Sequence, residues 1–281
     1  MVDINGSVTR RGLAIVESFA QQYILEKGLK KFGNKGEQAA YKEMEQLHKR
    51  TCFTPILVKD MTEDEKMKAQ LALCFLTEKR DGTIKGRTVF NRKGTRKWLT
   101  REDSSSPTAS TEGVFLTAVV DAKEKRDTMS ADVPNAFIQA LLPKPDVAKG
   151  EERVIMKITG SLVKILLRLA PDVYNGFVVY EKGKAVIYVV VLRALYGMLI
   201  SAMLWYKKFR GDLEEIGFEF NPYDPCIANR IVKKKQHTIR FHVDDVMSSH
   251  VNKKVNGKFL CLLYTSPSPR DLSTSRMPSS A

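Results

Sequence analysis

Three short alternating stretches near the C-terminal end, Ile227 to Val232, His237 to Val243 and Val246 to Val251, constrain the fold more than any other feature of the sequence. Alternation with period two places Ile239, Phe241 and Val243 on one face, the pattern of half-buried strands. Only Lys233 to Gln236 separates the first stretch from the second, so the two are expected to pair as an antiparallel hairpin. Asp244 and Asp245 fall where the second strand ends, which puts an acid pair at the tip of the next hairpin.

The remainder of the chain supplies helices and further hairpins. Residues 1–35 are weakly patterned, and Gly28, Gly33 and Gly36 punctuate the approach to an amphipathic helix from about Glu37 to Arg50, with Ala40, Met44 and Leu47 at helical spacing. Thr62 followed by Glu65 is a capping-box pattern, opening a second helix toward Leu73. The apolar run Leu71 to Leu76 and the Asp81-Gly82 dipeptide then predict a hairpin. Asp103 to Thr111 reads as a loop, and Glu112 to Ala122 as a helix packed on the core. Thr128 to Val133 has strand character, with Asp132 at its end and Pro134 placed to start a following helix. Val154 to Ile158 is a further strand. Phe177 to Tyr180 and Val186 to Leu192 flank a Lys182-Gly183 turn, and a helix from about Met198 to Ile216 follows. Antiparallel hairpins mixed with helices make the expected class α+β.

Charge narrows the choice of partner. The 281 residues carry 46 Lys and Arg against 32 Asp and Glu, a net charge of +14. Such a surplus favours polyanions, because neutralised phosphates release condensed counterions. The surplus is concentrated: between Thr77 and Arg101, nine basic residues, among them Lys79, Arg80, Lys85, Arg87, Arg92 and Lys93, face two acidic ones. Phe90 and Trp98 lie among them, as stacking on bases requires. Cys52, Cys74, Cys226 and Cys261 stand singly, which fits neither a disulfide scaffold nor a metal knuckle and points to a reducing, intracellular setting. No apolar run reaches the roughly 20 residues needed to span a bilayer, so no membrane role is expected. From Leu260 onward the Ser- and Pro-rich string to Ala281 reads as a disordered tail or as translated sequencing adapter.

Carboxylates from separate segments that meet at strand ends can hold the paired Mg²⁺ ions of phosphoryl-transfer chemistry, and Asp132 with Asp244 and Asp245 has that composition. Their surroundings are more telling. The segments "SADVPNAFIQALL", "LRALYGMLISAMLWYKKF" and "FHVDDVMSSH", preceded by "FLTEKRDGTIKGR" and "SSPTAST", resemble in order and spacing the motifs of the Ty1/copia-type retrotransposon reverse transcriptase. The resemblance covers about residues 36–259.

It implies right-hand polymerase fingers and a partial palm, with an antiparallel palm sheet and packed helices, lacking thumb and RNase H. It implies Asp132, Asp244 and Asp245 as catalytic carboxylates, holding two Mg²⁺ ions (Mn²⁺ as substitute) together with the Val133 carbonyl. Lys85, Arg87, Phe137, Tyr196 and Gly197 would form the nucleotide site, with Phe137 as the gate against the ribose 2′-OH. A core aromatic for Phe137, a solvated hairpin for Lys85 and simple packing for Tyr196 remain alternatives. Lys79, Arg80, Arg92 and Lys93 would contact nucleic acid. The implied partners are RNA or DNA template, primer and dNTP, and the protease, integrase and RNase H of the same polyprotein. Two positions depart from the family: Ile200 stands where Gln is common, and His242 where an aromatic residue often precedes Val-Asp-Asp. A non-catalytic nucleic-acid-binding relic is the other reading, and an unrelated two-metal nuclease a third.

Overall fold

The computed structural model describes residues 21–91, 93 and 105–265. In chain order its elements begin with β1 (Gln22–Ile24), α1 (Leu25–Lys49), β2 (Phe53–Ile56), α2 (Glu63–Lys68), β3 (Gln70–Glu78) and β4 (Ile84–Phe90). There follow α3 (Thr111–Lys123), β5 (Asp127–Asp132), α4 (Ala136–Gln139), β6 (Ile155–Thr159), α5 (Ser161–Leu169) and α6 (Pro171–Tyr174). The last are β7 (Val179–Glu181), β8 (Lys184–Val191), α7 (Ser201–Glu215), β9 (Glu219–Phe220), β10 (Ile227–Val232), β11 (Lys235–His242), β12 (Asp245–His250) and α8 (Lys253–Thr265). The class is α+β, and every strand pair is antiparallel except β3 with β6. No helix among the described residues is long and apolar enough to cross a membrane.

Two compact units divide the chain, the first from Met1–Lys97 and Leu142–Met198, the second from Trp98–Leu141 and Leu199–Ala281. In the first, a seven-stranded sheet runs β1-β3-β6-β8-β2, with β4 added to β3 and β7 to β8. Helix α1 lies against β3 and β4 and buries Ala40, Met44 and Leu47, the face expected from sequence, together with Ala39. It starts earlier than expected, at Leu25, and only Gly33, at φ 52°, breaks its helical backbone. Gly28 and Gly36 are packing positions: a Cβ at either would meet Leu76 of β3 at 2.8–3.0 Å. The capping box forms, with Thr62 Oγ1 accepting from Glu65 N–H and Glu65 returning to Thr62 N–H. Its helix stops at Lys68 rather than near Leu73, because Gln70 to Leu73 pair in strands β3, β4 and β6 and strand pairing satisfies their backbone instead.

The second unit is a five-stranded sheet, β5-β12-β11-β10-β9. One face carries Ala131, Ile239, Phe241 and Val246 against Trp205, Phe209 and Leu213 of α7 and Phe259 and Leu263 of α8. Trp205 stacks on Phe209 at 5.1 Å, and Phe209 meets Phe241 edge-on at 5.0 Å. Burying each such ring contributes about 1.5–3 kcal/mol, so these contacts, rather than helix propensity, hold α7 in place. Because Leu263 is buried and α8 runs to Thr265, residues 260–265 belong to this unit, past the compositional change at Leu260; residues 266–281 lie outside the described residues.

Helix α3 departs from expectation. Phe115, Leu116 and Val119 are 64–67% exposed, and its inward stripe is Gly113, Thr117 and Asp121. Polar contacts tether it: Asp224 accepts from Ser110 N–H and Oγ–H, and Arg240 donates to the Val114 carbonyl and Thr117 Oγ1. Its apolar residues therefore fail to predict its burial.

A buried chain of hydrogen bonds ties α8 to the sheet. His237 Nε2–H donates to Ser248 Oγ at 2.8 Å, Ser248 donates to Asn256 Oδ1 at 2.8 Å, and Asn256 Nδ2 donates to the Asp127 carbonyl at 2.6 Å. Burial, then the Arg230, His250 and Arg126 charges, push the His237 pKa down to about 3. The unfolded chain takes up this proton at about pH 6.5, and the folded chain only near pH 3. Stability is therefore complete above about pH 6.5 and declines as pH falls below it, by at most about 1.4 kcal/mol per pH unit. Urea midpoints between pH 7 and 5 should show this decline in the parent chain and a smaller one in His237→Gln. Equal declines would assign the acid sensitivity to other groups.

Candidate functional site

In the second unit, the three carboxylates singled out from the sequence come to one end of the sheet. Asp132 ends β5, Asp245 begins β12, and the two are direct partners in the antiparallel register. Such partners have Cα atoms about 4.5–5.5 Å apart. Asp244 occupies the two-residue turn between β11 and β12, whose flanking pair is His242 with Asp245. Asp132 and Asp245 are exposed and Asp244 is half-buried.

The turn itself is clamped from both sides. Val133 N–H donates to the Asp244 carbonyl at 2.8 Å, and Trp205 Nε1–H donates to the Val243 carbonyl at 2.7 Å. Val243 adopts φ 59°, the left-handed region that a β-branched residue avoids. Strain of this kind costs of order 1–3 kcal/mol and persists only where surrounding contacts over-determine it, which they do here through Trp205 and Val133. Neither Trp205 nor Val243 stands out as a site residue in the sequence. A tryptophan with its single N–H donor, near the start of a core helix, is the available signal for the first.

Beside the acid pair lies a concavity of about 430 Å³ lined by Ser130, Asp132, Arg240, His242, Asp245 and Met247. Val133 is buried, and Phe137 on α4 is half-buried and packs against the core cluster. Pro134 precedes α4 instead of starting it, because Asn135 takes a left-handed conformation at φ 55° ahead of the first helical residue. The donors at the tip are carboxylate and carbonyl oxygens, the hard set that suits Mg²⁺ or Mn²⁺ and not a thiolate metal. Three anionic side chains also repel one another, and among the described residues no group of three or more His, Cys, Asp or Glu stands close enough to hold a metal ion.

In the first unit, residues from two distant motifs meet. Lys85 and Arg87 project from the exposed face of β4, and the Arg87 guanidinium lies 4.4 Å from the centre of the Tyr196 ring. Phe90 N–H donates to the Tyr196 carbonyl at 2.8 Å, fastening the Leu195-Tyr196-Gly197 segment to β4. Gly197 sits at φ 89°, and a Cβ there would fall within the envelopes of Val89 Cγ1 and the Phe90 carbonyl. Lys79 and Arg80 are exposed at the tip of the β3–β4 hairpin, where Lys79 N–H donates to Thr83 O, and Lys93 is exposed just beyond β4. Arg92, Arg96, Lys97, Trp98 and Arg101 lie outside the described residues.

Comparison with protein-family models and with curated proteins returns no match to this chain.

Proposed function

We propose that the chain is the fingers and part of the palm of an RNA-directed DNA polymerase, a reverse transcriptase of the Ty1/copia retrotransposon type that works inside the cell. The observation that supports this reading most is the cross-strand pairing of Asp132 with Asp245, with Asp244 in the adjoining turn, in a chain whose five collinear motifs resemble that family. On this reading the β5-β12-β11-β10-β9 sheet is the palm and the β3–β4 hairpin belongs to the fingers. Asp132, Asp244, Asp245 and the Val133 carbonyl would hold two Mg²⁺ ions, or Mn²⁺, only with their side chains drawn closer together than they stand here, about the fixed backbone pairing of Asp132 with Asp245; the ions when bound would supply activation of the primer 3′-OH and neutralisation of the leaving oxygens. The clamp of Trp205 and Val133 on the acid turn keeps the carboxylates positioned. Arg87, stacked on Tyr196, is suited to bidentate contact with the triphosphate, and Lys85 adds a point charge on the same strand face. Template, primer and dNTP are the ligands, and protease, integrase and RNase H of the polyprotein the partners.

The test is primer extension on an RNA template with Mg²⁺, using this chain joined to the sequence that follows it in its element. Incorporation of dNTP supports the reading; salt-sensitive binding of template–primer without any extension overturns it in favour of a nucleic-acid-binding relic. One observation favours that second reading: Ile200, where the family commonly has Gln, precedes α7 with no side-chain capping bond. Ile200→Gln should then restore extension. In an active chain, Phe137→Ala should raise the use of ribonucleotides relative to deoxyribonucleotides by about 10–100-fold. An unchanged ratio would leave Phe137 as a core aromatic.

A further inference from the structure

The end of the second unit's sheet opposite the acid tip breaks two rules of local stability in the same place. The β10–β11 turn is the two-residue loop Lys233-Lys234, and both residues are left-handed, at φ 51° and 59°. Asn-Gly is the sequence this turn favours, because both central residues need φ > 0. Lys235 follows directly as the first residue of β11, so three consecutive cations cover the turn and its flank. At α8, Lys253 and Lys254 fill the first turn with no acidic residue, where the helix dipole opposes positive charge. A third chain turn adds Lys125, left-handed at φ 51°.

These turns share one end of the sheet. His250, the last residue of β12, pairs with Asp127 at the start of β5, and its Nε2 lies 3.3 Å from the Val232 carbonyl next to the lysine turn. All six lysines are exposed, and none is ion-paired among the described residues. The nearby acids are already engaged: Glu124 with Arg126, and Asp127 with Asn256. Lys125 lies just past the end of α3, where a left-handed residue and a cation are ordinary, but the lysine turn and the cations at the start of α8 are locally unfavourable, and such choices converging on one surface are expected where function selects them.

We infer that this lysine-bearing sheet end is a second nucleic-acid contact, gripping the phosphate backbone of a duplex away from the acid tip. The strand β11 joins the two ends with eight residues, an extent of about 25 Å. Along a duplex rising about 3.4 Å per base pair, that is about seven base pairs. The lysines come from three separate chain segments and not from one amphipathic helix with an apolar face, so they suit regularly spaced phosphates better than a lipid surface. The inference rests on the nucleic-acid reading of the chain but not on its catalytic competence.

The test compares the 281-residue chain with Lys233→Asn/Lys234→Gly and, separately, with Lys253→Gln/Lys254→Gln. Binding of an RNA–DNA duplex of about 20 base pairs is followed by fluorescence anisotropy across a salt series, with phosphatidylserine vesicles as a parallel probe. Each double variant should flatten the plot of log affinity against log salt by about 2, one unit for each phosphate that a lysine no longer neutralises. The turn variant should at the same time raise the melting temperature, since Asn-Gly relieves the left-handed lysines. A more stable turn variant with unchanged duplex affinity and slope would overturn the inference while leaving the nucleic-acid reading intact. Loss of vesicle binding with duplex binding unchanged would overturn it in favour of a membrane surface. Failure of the parent chain to bind duplex at low salt would overturn both readings together.

Discussion

Asp244→Asn should lower primer extension by at least about 10³-fold, some 4 kcal/mol of lost transition-state stabilisation, while template–primer affinity stays within about twofold. Asn keeps the size of the side chain and leaves the Asp244 carbonyl free to accept from Val133 N–H, so the turn should keep its shape. What disappears is negative charge at the position where the proposed metal pair would be held. On the proposed reading, affinity for nucleic acid would come from distributed Lys and Arg, which the substitution does not touch. The comparison is single-turnover extension on an RNA template, with circular dichroism melting as a check on folding. Extension within tenfold of the parent would mean that the acid pair is a solvated turn and that the polymerase reading is mistaken.

Gly197→Ala should destabilise the first unit by about 3 kcal/mol or more. Two effects add there. A left-handed φ of 89° disfavours any side chain, and the new Cβ would collide with Val89 Cγ1 and with the backbone carbonyl of Phe90. A side chain could rotate away, but the Phe90 carbonyl can move only if β4 moves, and β4 is bonded along its whole length to β3. Displacing β4 would also separate Arg87 from Tyr196, so the nucleotide binding proposed for this pair should weaken together with stability. Urea unfolding gives the first quantity and equilibrium dNTP binding the second. A loss below about 1 kcal/mol would show that the segment before α7 yields independently of the strand.

The strands and turns that depend on neighbours in sequence are readable without any coordinates. Alternation locates β10, β11 and β12; Asp81-Gly82 locates the β3–β4 turn; Thr62 with Glu65 locates the start of α2. Each is a short-range effect, set by side-chain period, turn stereochemistry or a cap three residues away. The positions of Asp132 and Asp244–Asp245 at element ends follow from the same rules, whereas their assignment as a set comes from the family resemblance.

Errors arise where a distant contact overrules a local preference. Glycine interrupts helices by propensity, yet Gly28 and Gly36 lie within α1 because Leu76 of β3 approaches too closely for any Cβ. Helix α3 carries Phe115, Leu116 and Val119, but its orientation is set by Asp224, Arg240 and the buried Asp121–Arg126 pair, which leave those residues outward. Composition changes at Leu260, yet Leu263 finds a place in the core beside Phe259. Period, turn chemistry and charge are properties of a few consecutive residues and belong to the sequence alone. The partnership of Asp132 with Asp245, the clamp of Trp205 on Val243 and the gathering of six lysines at one sheet end depend on which strands become neighbours, and only the packed tertiary structure decides that.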